Sequence, residues 1–175
     1  KGIDTNLEDF DVHKKWLSSL EEAVPIVNEN EYLSEFELKM KKGDLRLLSK
    51  YDLIVIRPDD ILEIWDWKTM NKQISRDEGE RRLQTIVYLY TIGENMDYFL
   101  DKDISYENIC MYYWQPEFSK EPLKIDYSCE KHRRYENILE NMIDEITSYD
   151  FEKDFKKNRY ISSCKYCEFS FLCNG

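Results

Sequence analysis

The spacing of apolar residues predicts that helices and strands alternate along this chain. From about Asn6 to Ala23 apolar residues recur every three or four positions, which is typical of an amphipathic helix. The residues of this predicted stripe are Leu7, Phe10, His13, Leu17 and Leu20. Apolar and polar residues then alternate from Tyr32 to Met40, and strand-like runs follow at about Leu45 to Arg57 and Ile61 to Thr69. We therefore expect one helix followed by three strands.

A tight hairpin is predicted between the second and third strands. Pro58, Asp59 and Asp60 stand between them and are typical turn residues. If these residues form the whole loop, the register places Asp52 directly opposite Asp66. Opposed like charges destabilise a sheet unless a positive charge lies between them. The hairpin therefore predicts a cation site, which a divalent metal ion would fill.

Side chains alternate between the two faces of a strand, so residues two positions apart share a face. Lys68 therefore joins Asp66 and Asp52, whereas Trp65 and Trp67 point to the opposite face. Carboxylate oxygens suit Mg²⁺ or Mn²⁺, and such an ion polarises a phosphoryl oxygen and activates a water. A lysine beside the ion can orient or deprotonate that water. The three residues predict phosphodiester hydrolysis, although Asp66 and Lys68 taken alone are better explained by a surface ion pair.

The rest of the chain predicts a helix, two strands and a second long helix. The sequence from Ser75 to Glu78 is a capping box that opens a helix through about Thr91. Its predicted buried stripe consists of Leu83, Val87 and Tyr90. Strands are predicted at Glu107 to Trp114 and at Leu123 to Tyr127, and Ser128 is placed to cap the last helix.

Length and composition indicate one globular domain. The 175 residues are 42% apolar, which is enough to bury a core, and no apolar run is long enough to cross a bilayer. The order of elements indicates an α/β fold with a central mixed sheet of four or five strands and flanking helices. We expect residues 1–175 to form a single domain. Because the sequence begins with Lys1 rather than Met, we also expect a fragment of a larger protein or a processed piece.

Charge and cysteine content restrict the function classes. The net charge of −11 argues against a protein that holds DNA through its overall field, so any DNA contact must be local or borrowed from a partner. Lys72, Arg76, Arg81 and Arg82 flank the predicted site as candidate phosphate contacts, although a solvated helix face explains them as well. The five cysteines do not resemble a secreted disulfide framework, and no signal peptide opens the chain. We expect a cytoplasmic protein.

The run YDLIVIRPDDILEIWDWKT at residues 51–69 resembles the core of the RecB-like branch of the PD-(D/E)XK nuclease superfamily. In that family, an aspartate in one strand is followed by a short turn and then by Asp-X-Lys-Thr. The resemblance implies that Asp52 and Asp66 bind the catalytic Mg²⁺ or Mn²⁺ and that Lys68 is the catalytic lysine. It also implies that the Trp67 carbonyl completes the metal shell and that the fold is restriction-endonuclease-like.

Further residues follow in the order of this family. Gln84 and Tyr88 match its Gln-X3-Tyr motif, which implies DNA contact or positioning of the lysine. His13 resembles the family's N-terminal metal-ligand histidine, although a lone histidine on an apolar helix face is more often a core residue. Glu37 is a weaker candidate for an additional acidic group. The ordered set implies a DNA nuclease, with exonuclease action on single-stranded ends.

Cys164, Cys167 and Cys173 resemble the C-terminal cysteines of the iron–sulfur members of the same family. Those members include CRISPR-adaptation nucleases and helicase-nuclease subunits of DNA repair, so the resemblance implies a 4Fe–4S cluster or a Zn ion and a helicase or CRISPR-type partner. Either metal normally needs four ligands. The fourth lies in a missing N-terminal segment, or no metal is bound, or the ligand is one of Cys110, Cys129 and His132.

Two other function classes stay open. The fold can serve as a non-catalytic nucleic-acid- or protein-binding module of a larger DNA-processing complex, which would suit the acidic charge and the start at Lys1. A cysteine-metal redox or sensor domain is the third hypothesis. The opposed carboxylates and Lys68 favour the nuclease, because a binding module has no physical need of them.

Overall fold

The computed structural model describes residues 7–24, 26–99 and 105–150. The chain divides into two units, residues 1–140 and 141–175, and the central sheet lies in the first. Residues 141–148 of the second unit are helical. The single domain over residues 1–175 stays a prediction. None of the helices in the described ranges has the length and hydropathy needed to cross a bilayer.

Helices and strands alternate along the described chain much as predicted. The helices are α1 (Leu7–Ala23), α2 (Arg76–Arg81), α3 (Leu83–Gly93), the single turn α4 (Met96–Phe99) and α5 (Cys129–Ser148). The strands are β1 (Glu31–Lys42), β2 (Leu45–Ile56), β3 (Leu62–Trp67), β4 (Ile109–Trp114) and β5 (Leu123–Asp126). Short 3₁₀ turns lie at Tyr106–Asn108 and Pro116–Phe118.

A five-stranded sheet forms the centre of the first unit, and its strands follow one another in chain order from β1 to β5. Neighbouring strands are antiparallel except β3 and β4, which are parallel. A parallel pair needs a crossover connection, and the segment that carries α2 and α3 supplies it. The predicted α/β fold with a mixed sheet of four or five strands is confirmed.

The hairpin between β2 and β3 has the predicted loop. The N–H of Arg57 donates to the carbonyl of Ile61 over 2.9 Å, so three residues form the connection. The last of them, Asp60, has a left-handed backbone with φ 60°, which is typical of the final position in a three-residue hairpin loop. Because aspartate tolerates this conformation, the loop fixes the register of the two strands.

Different helices cover the two faces of the sheet. Val55, Trp65 and Trp114 form a buried cluster on one face, and α1 packs against it. Asp66 follows Trp65 in β3 and therefore points to the other face, where the α3 residue Gln84 contacts it. The sheet thus separates an aromatic face under α1 from a face under α3 that carries Asp66.

The buried side of α1 differs from the prediction. Trp16, Leu20 and Ala23 pack against the aromatic face, whereas Leu17 is 57% exposed and His13 is exposed as well. The predicted stripe contains Leu17 and His13 but omits Trp16. Burial of an indole removes more apolar surface from water than burial of a leucine, so Trp16 sets the rotation of the helix.

The helix predicted from Ser75 to Thr91 is interrupted at Arg82. Its start is correct, because Ser75 Oγ accepts a hydrogen bond from the N–H of Glu78 over 3.2 Å. Arg82, however, has an extended backbone with ψ 131°, and this residue ends α2 and precedes α3. The prediction of one continuous helix is therefore wrong at Arg82.

The break changes which side chains of α3 are buried. Thr85 Oγ1 donates to the carbonyl of Gly79 over 2.6 Å and satisfies a backbone group that the continuous helix would have paired. Leu83, predicted as buried, is 48% exposed, whereas Ile86 and Leu89 lie in the core. The Gly79 carbonyl also accepts the N–H of Arg82 over 3.4 Å. A side-chain hydroxyl that adds to such a bond does not alter the apolar periodicity, so the sequence pattern could not reveal the break.

Gly93 stands where α3 approaches an aromatic cluster very closely. A Cβ atom at this position would lie 3.0 Å from Nδ1 of His132, 3.1 Å from Tyr127 and 3.2 Å from Tyr106. The imidazole cannot easily move away, because it stacks on Tyr106 and its nitrogens bond to the Tyr127 hydroxyl over 2.7 Å and to Glu94 over 2.9 Å. Only glycine fits this contact without displacing the rings.

We expect Gly93→Ala to lower the free energy of unfolding by about 1–3 kcal/mol, because the added methyl overpacks a cluster of hydrogen-bonded rings. Urea unfolding followed by circular dichroism measures the change. The control is Gly43→Asn, since Gly43 has φ 57° with no atom within 4 Å of a Cβ, and asparagine tolerates this conformation. Wild-type stability of Gly93→Ala would contradict the prediction.

Candidate active site

Asp52 and Asp66 lie next to the last paired residues of the β2–β3 hairpin. Leu53 and Trp65 are the last paired residues, so the two aspartates are next in the predicted register. Asp52 Oδ2 accepts a hydrogen bond from the N–H of Trp67 over 2.8 Å. A carboxylate therefore occupies the place where a strand carbonyl would accept this N–H, and the backbone ladder stops at the site.

Asp66 is the most buried charged residue of the site, with 1% of its surface exposed. Its Oδ1 accepts a hydrogen bond from Gln84 Nε2 over 2.7 Å. Its Oδ2 lies 2.6 Å from Lys68 Nζ but lacks the directional geometry of a hydrogen bond. Burial raises the pKa of Asp66, and the negative charge of Asp52 adds to this, while Lys68 and Gln84 oppose it. The site holds a carboxylate that benefits from additional positive charge.

Lys68 follows β3 directly and is fixed through its backbone. Its N–H donates to the carbonyl of Trp114 over 2.9 Å, which extends the pairing of β3 with β4 by one residue. The ammonium lies 5.7 Å from the centre of the Tyr113 ring, and 21% of the side chain is exposed. The amine therefore lies between the buried Asp66 carboxylate and solvent.

Gln84 and Tyr88 lie one turn apart on α3, and both connect this helix to the β2–β3 hairpin. Gln84 binds Asp66 directly, while the Tyr88 hydroxyl donates to the carbonyl of Lys50 in β2. The Tyr88 ring also contacts Tyr51, with 4.6 Å between ring centres. Burial raises the pKa of Tyr88, and the charges of Asp66 and Asp52 add to the shift. Gln84 orients the carboxylate, and Tyr88 holds the helix that carries Gln84.

Tyr113, a residue of β4, is a further part of the site that the sequence analysis did not identify. It lies beside Asp66 in the parallel register of β3 and β4, and 1% of it is exposed. Its hydroxyl is hydrogen-bonded to Thr85 Oγ1 over 2.7 Å, and its ring faces Lys68. The register of β4 against β3 depends on a long crossover, so no local sequence signal could have placed Tyr113 here.

Comparison with known protein families shows which family this chain belongs to. The family model of the PD-(D/E)XK nuclease superfamily matches residues 8–174. The chain belongs to the PD-(D/E)XK nuclease superfamily. Among solved structures, this nuclease-superfamily chain is similar to SSO0001, with 16% identity, a TM-score of 0.48 and coverage of 95% of this chain and 68% of that one. No curated protein matches the chain significantly.

The structure does not bring His13 and Glu37 into the site of this PD-(D/E)XK domain. His13 is exposed, and its ring meets the edge of Trp16 with 5.6 Å between centres, on the helix that covers the aromatic face. Glu37 is exposed and faces Lys50 across the β1–β2 pair. Within the described ranges, no three His, Cys, Asp or Glu side chains form a metal-binding group. Metal ligation by His13 stays a prediction.

The two aspartates of this PD-(D/E)XK domain fit a hard divalent cation. Asp66 Oδ2 is buried beside Lys68 Nζ at 2.6 Å, and a carboxylate oxygen has a second lone pair that a metal ligand bond can use. Mg²⁺ commonly takes only one or two protein carboxylates and keeps waters or substrate phosphates in its other positions. Asp52 and Asp66 can therefore hold the ion without a third acidic side chain, and the Trp67 carbonyl stays a predicted additional ligand.

The cysteines of the predicted cluster, Cys164, Cys167 and Cys173, lie outside the described residues. Among the proposed fourth ligands, Cys110 is a β4 residue with 5% exposure, and burial raises the pKa of its thiol to about 11. His132 has both ring nitrogens in hydrogen bonds. Cys129, the first residue of α5, is exposed. Of the three, Cys129 has the most accessible side chain, and the cluster itself stays a prediction.

Proposed function

We propose that this protein is a Mg²⁺- or Mn²⁺-dependent nuclease that hydrolyses phosphodiester bonds of DNA. One observation carries the proposal: the buried Asp66 carboxylate is held by Gln84 at one oxygen and faces Lys68 at the other, with Asp52 next in register. A structural ion pair has no need of a second carboxylate opposite it. Superfamily membership supports a nuclease, and the choice of metal and of DNA is our inference from the donor set.

Each residue of the site has a separate role in the proposed hydrolysis. A divalent ion held by Asp52 and Asp66 would activate a water and neutralise charge on the phosphate. Gln84 orients Asp66, and the N–H of Trp67 orients Asp52, so both carboxylates are fixed before substrate arrives. Lys68 Nζ lies 2.6 Å from Asp66 Oδ2, and there it would orient the attacking water and stabilise the negative charge that develops on the phosphate.

The finer proposal is exonuclease action on single-stranded ends, in partnership with a helicase or a CRISPR-type protein. Its support is the resemblance of residues 51–69, Gln84 and Tyr88 to RecB-like nucleases. The net charge of −11 is consistent with it, because a chain of this charge needs local cations, bound metal or a partner to retain DNA. The C-terminal cysteines extend the proposal to a 4Fe–4S or Zn site.

The first experiment is cleavage of end-labelled single- and double-stranded DNA by the wild-type protein. We expect cutting with Mg²⁺ or Mn²⁺ and none in EDTA, with single-stranded DNA as the better substrate and short products released from the ends. Single-stranded RNA of the same sequence tests the choice of nucleic acid. A folded protein that cuts none of these substrates with either metal would refute the catalytic proposal and favour the non-catalytic binding module.

A further inference from the structure

Arg82 occupies the break between α2 and α3, and its guanidinium lies beside the proposed active site. The guanidinium carbon is 5.7 Å from the centre of the Tyr113 ring. Lys68 Nζ lies at the same distance from the same ring. Tyr113 in turn is the strand neighbour of Asp66. Two cations therefore lie against one aromatic ring at the edge of the site.

The hydrogen bonding of Arg82 is incomplete. Its Nη2 donates to Glu78 Oε1 over 2.5 Å and approaches the sulfur of Met70 at 3.7 Å. Its Nε is buried and has no hydrogen-bond partner. A guanidinium presents five N–H donors in a planar fork, and a buried donor without an acceptor is costly. The side chain is 25% exposed, so an acceptor can reach it from solvent.

The neighbouring cations lack this combination of features. Arg81 is 80% exposed and forms an ion pair with Asp77 over 2.8 Å, one turn away on α2. Arg76 is 58% exposed and lies 3.8 Å from Glu80. Lys72 is exposed. Arg82 differs from them because it is largely buried, lies against an aromatic ring and retains an unused buried donor.

We propose that Arg82 binds a backbone phosphate of the nucleic-acid substrate and positions the strand against Lys68 and Asp66. This inference rests on the proposed nuclease function. Phosphate oxygens match the guanidinium fork in charge and geometry, and they would reach it through the 25% of the side chain that is exposed. Glu78 and Tyr113 hold the guanidinium in place beforehand, so little side-chain freedom is lost on binding.

The test compares Arg82→Gln with Arg81→Gln, which removes the same charge one residue away. Binding of fluorescent single-stranded DNA is measured by anisotropy in EDTA over a range of salt concentrations. We expect Arg82→Gln to weaken binding roughly 10- to 100-fold. The plot of log affinity against log salt has a negative slope, and its magnitude should decrease by about 0.7, the value for one phosphate contact on a single strand. Arg81→Gln should match wild type in both.

Cleavage kinetics with Mg²⁺ provide a second test of the role of Arg82. Loss of a contact made equally in the ground state and the transition state raises KM and leaves kcat nearly unchanged. We therefore expect Arg82→Gln to raise KM, whereas loss of a catalytic residue lowers kcat. Arg82→Lys keeps the charge but loses the fork, so it should retain the wild-type salt slope with about tenfold weaker binding.

The outcomes separate this inference from the proposed function. If wild type cleaves DNA and Arg82→Gln binds with the affinity and salt slope of wild type, the role of Arg82 is refuted and the nuclease stands. If wild type neither binds nor cleaves, both fail. Urea unfolding checks each variant, and should Arg82→Gln not fold, Arg82→Lys decides: unchanged affinity would overturn the proposal.

Discussion

Asp66→Asn should reduce metal-dependent cleavage roughly a thousandfold or more, while the metal-free protein keeps its stability to within about 1 kcal/mol. The carboxylate is needed to hold the cation, but without metal it is a buried charge beside the Asp52 carboxylate. Asparagine has nearly the same shape and still accepts the hydrogen bond from Gln84. Cleavage assays and urea unfolding in EDTA measure the two effects separately.

The raised pKa of Asp66 predicts how the stability of wild type relative to Asp66→Asn changes with pH. Burial raises the pKa of Asp66 in the folded protein, so the unfolded chain releases this proton at lower pH than the folded one. Below the ordinary pKa of aspartate, both states are protonated and the group has no effect. As pH rises from there through the raised pKa, wild type in EDTA should lose stability relative to Asp66→Asn.

Added Mg²⁺ should reverse that difference. An ion that binds only the folded state stabilises it by about 2.7 kcal/mol at one hundred times its dissociation constant, and Asp66→Asn should lose most of this gain. The matched control is Asp59→Asn, a loop residue with 52% side-chain exposure, which should keep wild-type cleavage and metal response. Equal stabilisation of wild type and Asp66→Asn by Mg²⁺ would contradict the assignment of Asp66 as a ligand.

The centre of the site could be predicted from sequence because it is encoded within one hairpin. The loop length fixes the register, and the alternation of side chains then places Asp52, Asp66 and Lys68 on one face. The structure confirms the loop and the register, and Gln84 lies at hydrogen-bonding distance from Asp66. The hairpin inference required only residues close in sequence, whereas the role of Gln84 was implied by the family resemblance.

Other features depend on contacts between distant segments and could not be predicted. The break at Arg82 is accompanied by the hydrogen bond of the Thr85 hydroxyl, which apolar spacing does not register. The rotation of α1 follows from the fit of Trp16 to the aromatic face of the sheet. Tyr113 reaches the site through the parallel pairing of β3 and β4. In each case, tertiary packing determines the outcome.

The predicted ligand role of His13 depends on the rotation of α1, which a sequence match does not fix. Its order in the chain agrees with the family, yet its side chain is exposed on the helix that packs on the aromatic face. Order along the chain fixes the element on which a residue lies, whereas helix rotation decides the direction of its side chain. The aspartates avoid this ambiguity because a strand has only two faces.

Lys68→Met should reduce cleavage by roughly 10²- to 10⁴-fold and should also destabilise the protein, unlike Asp66→Asn. It leaves the carboxylate of Asp66, whose side chain is 2% exposed, without its nearest positive charge. Removing one partner of a fully buried pair costs about 3–5 kcal/mol, and we expect a smaller loss here because the Lys68 side chain is 21% exposed. The control is Lys72→Met, an exposed lysine, which should change neither activity nor stability.

The double variant Asp66→Asn/Lys68→Met separates the electrostatic cause from loss of packing. If the uncompensated Asp66 charge destabilises Lys68→Met, the double variant should regain most of the lost stability and remain inactive. The deficit of the single variant should also shrink as pH falls below the raised pKa of Asp66, because the carboxyl is then neutral. Additive losses at all pH values would instead indicate that Lys68 stabilises the fold through its packing against Tyr113. Only the non-additive, pH-dependent result is expected from a cation whose main partner is the Asp66 carboxylate.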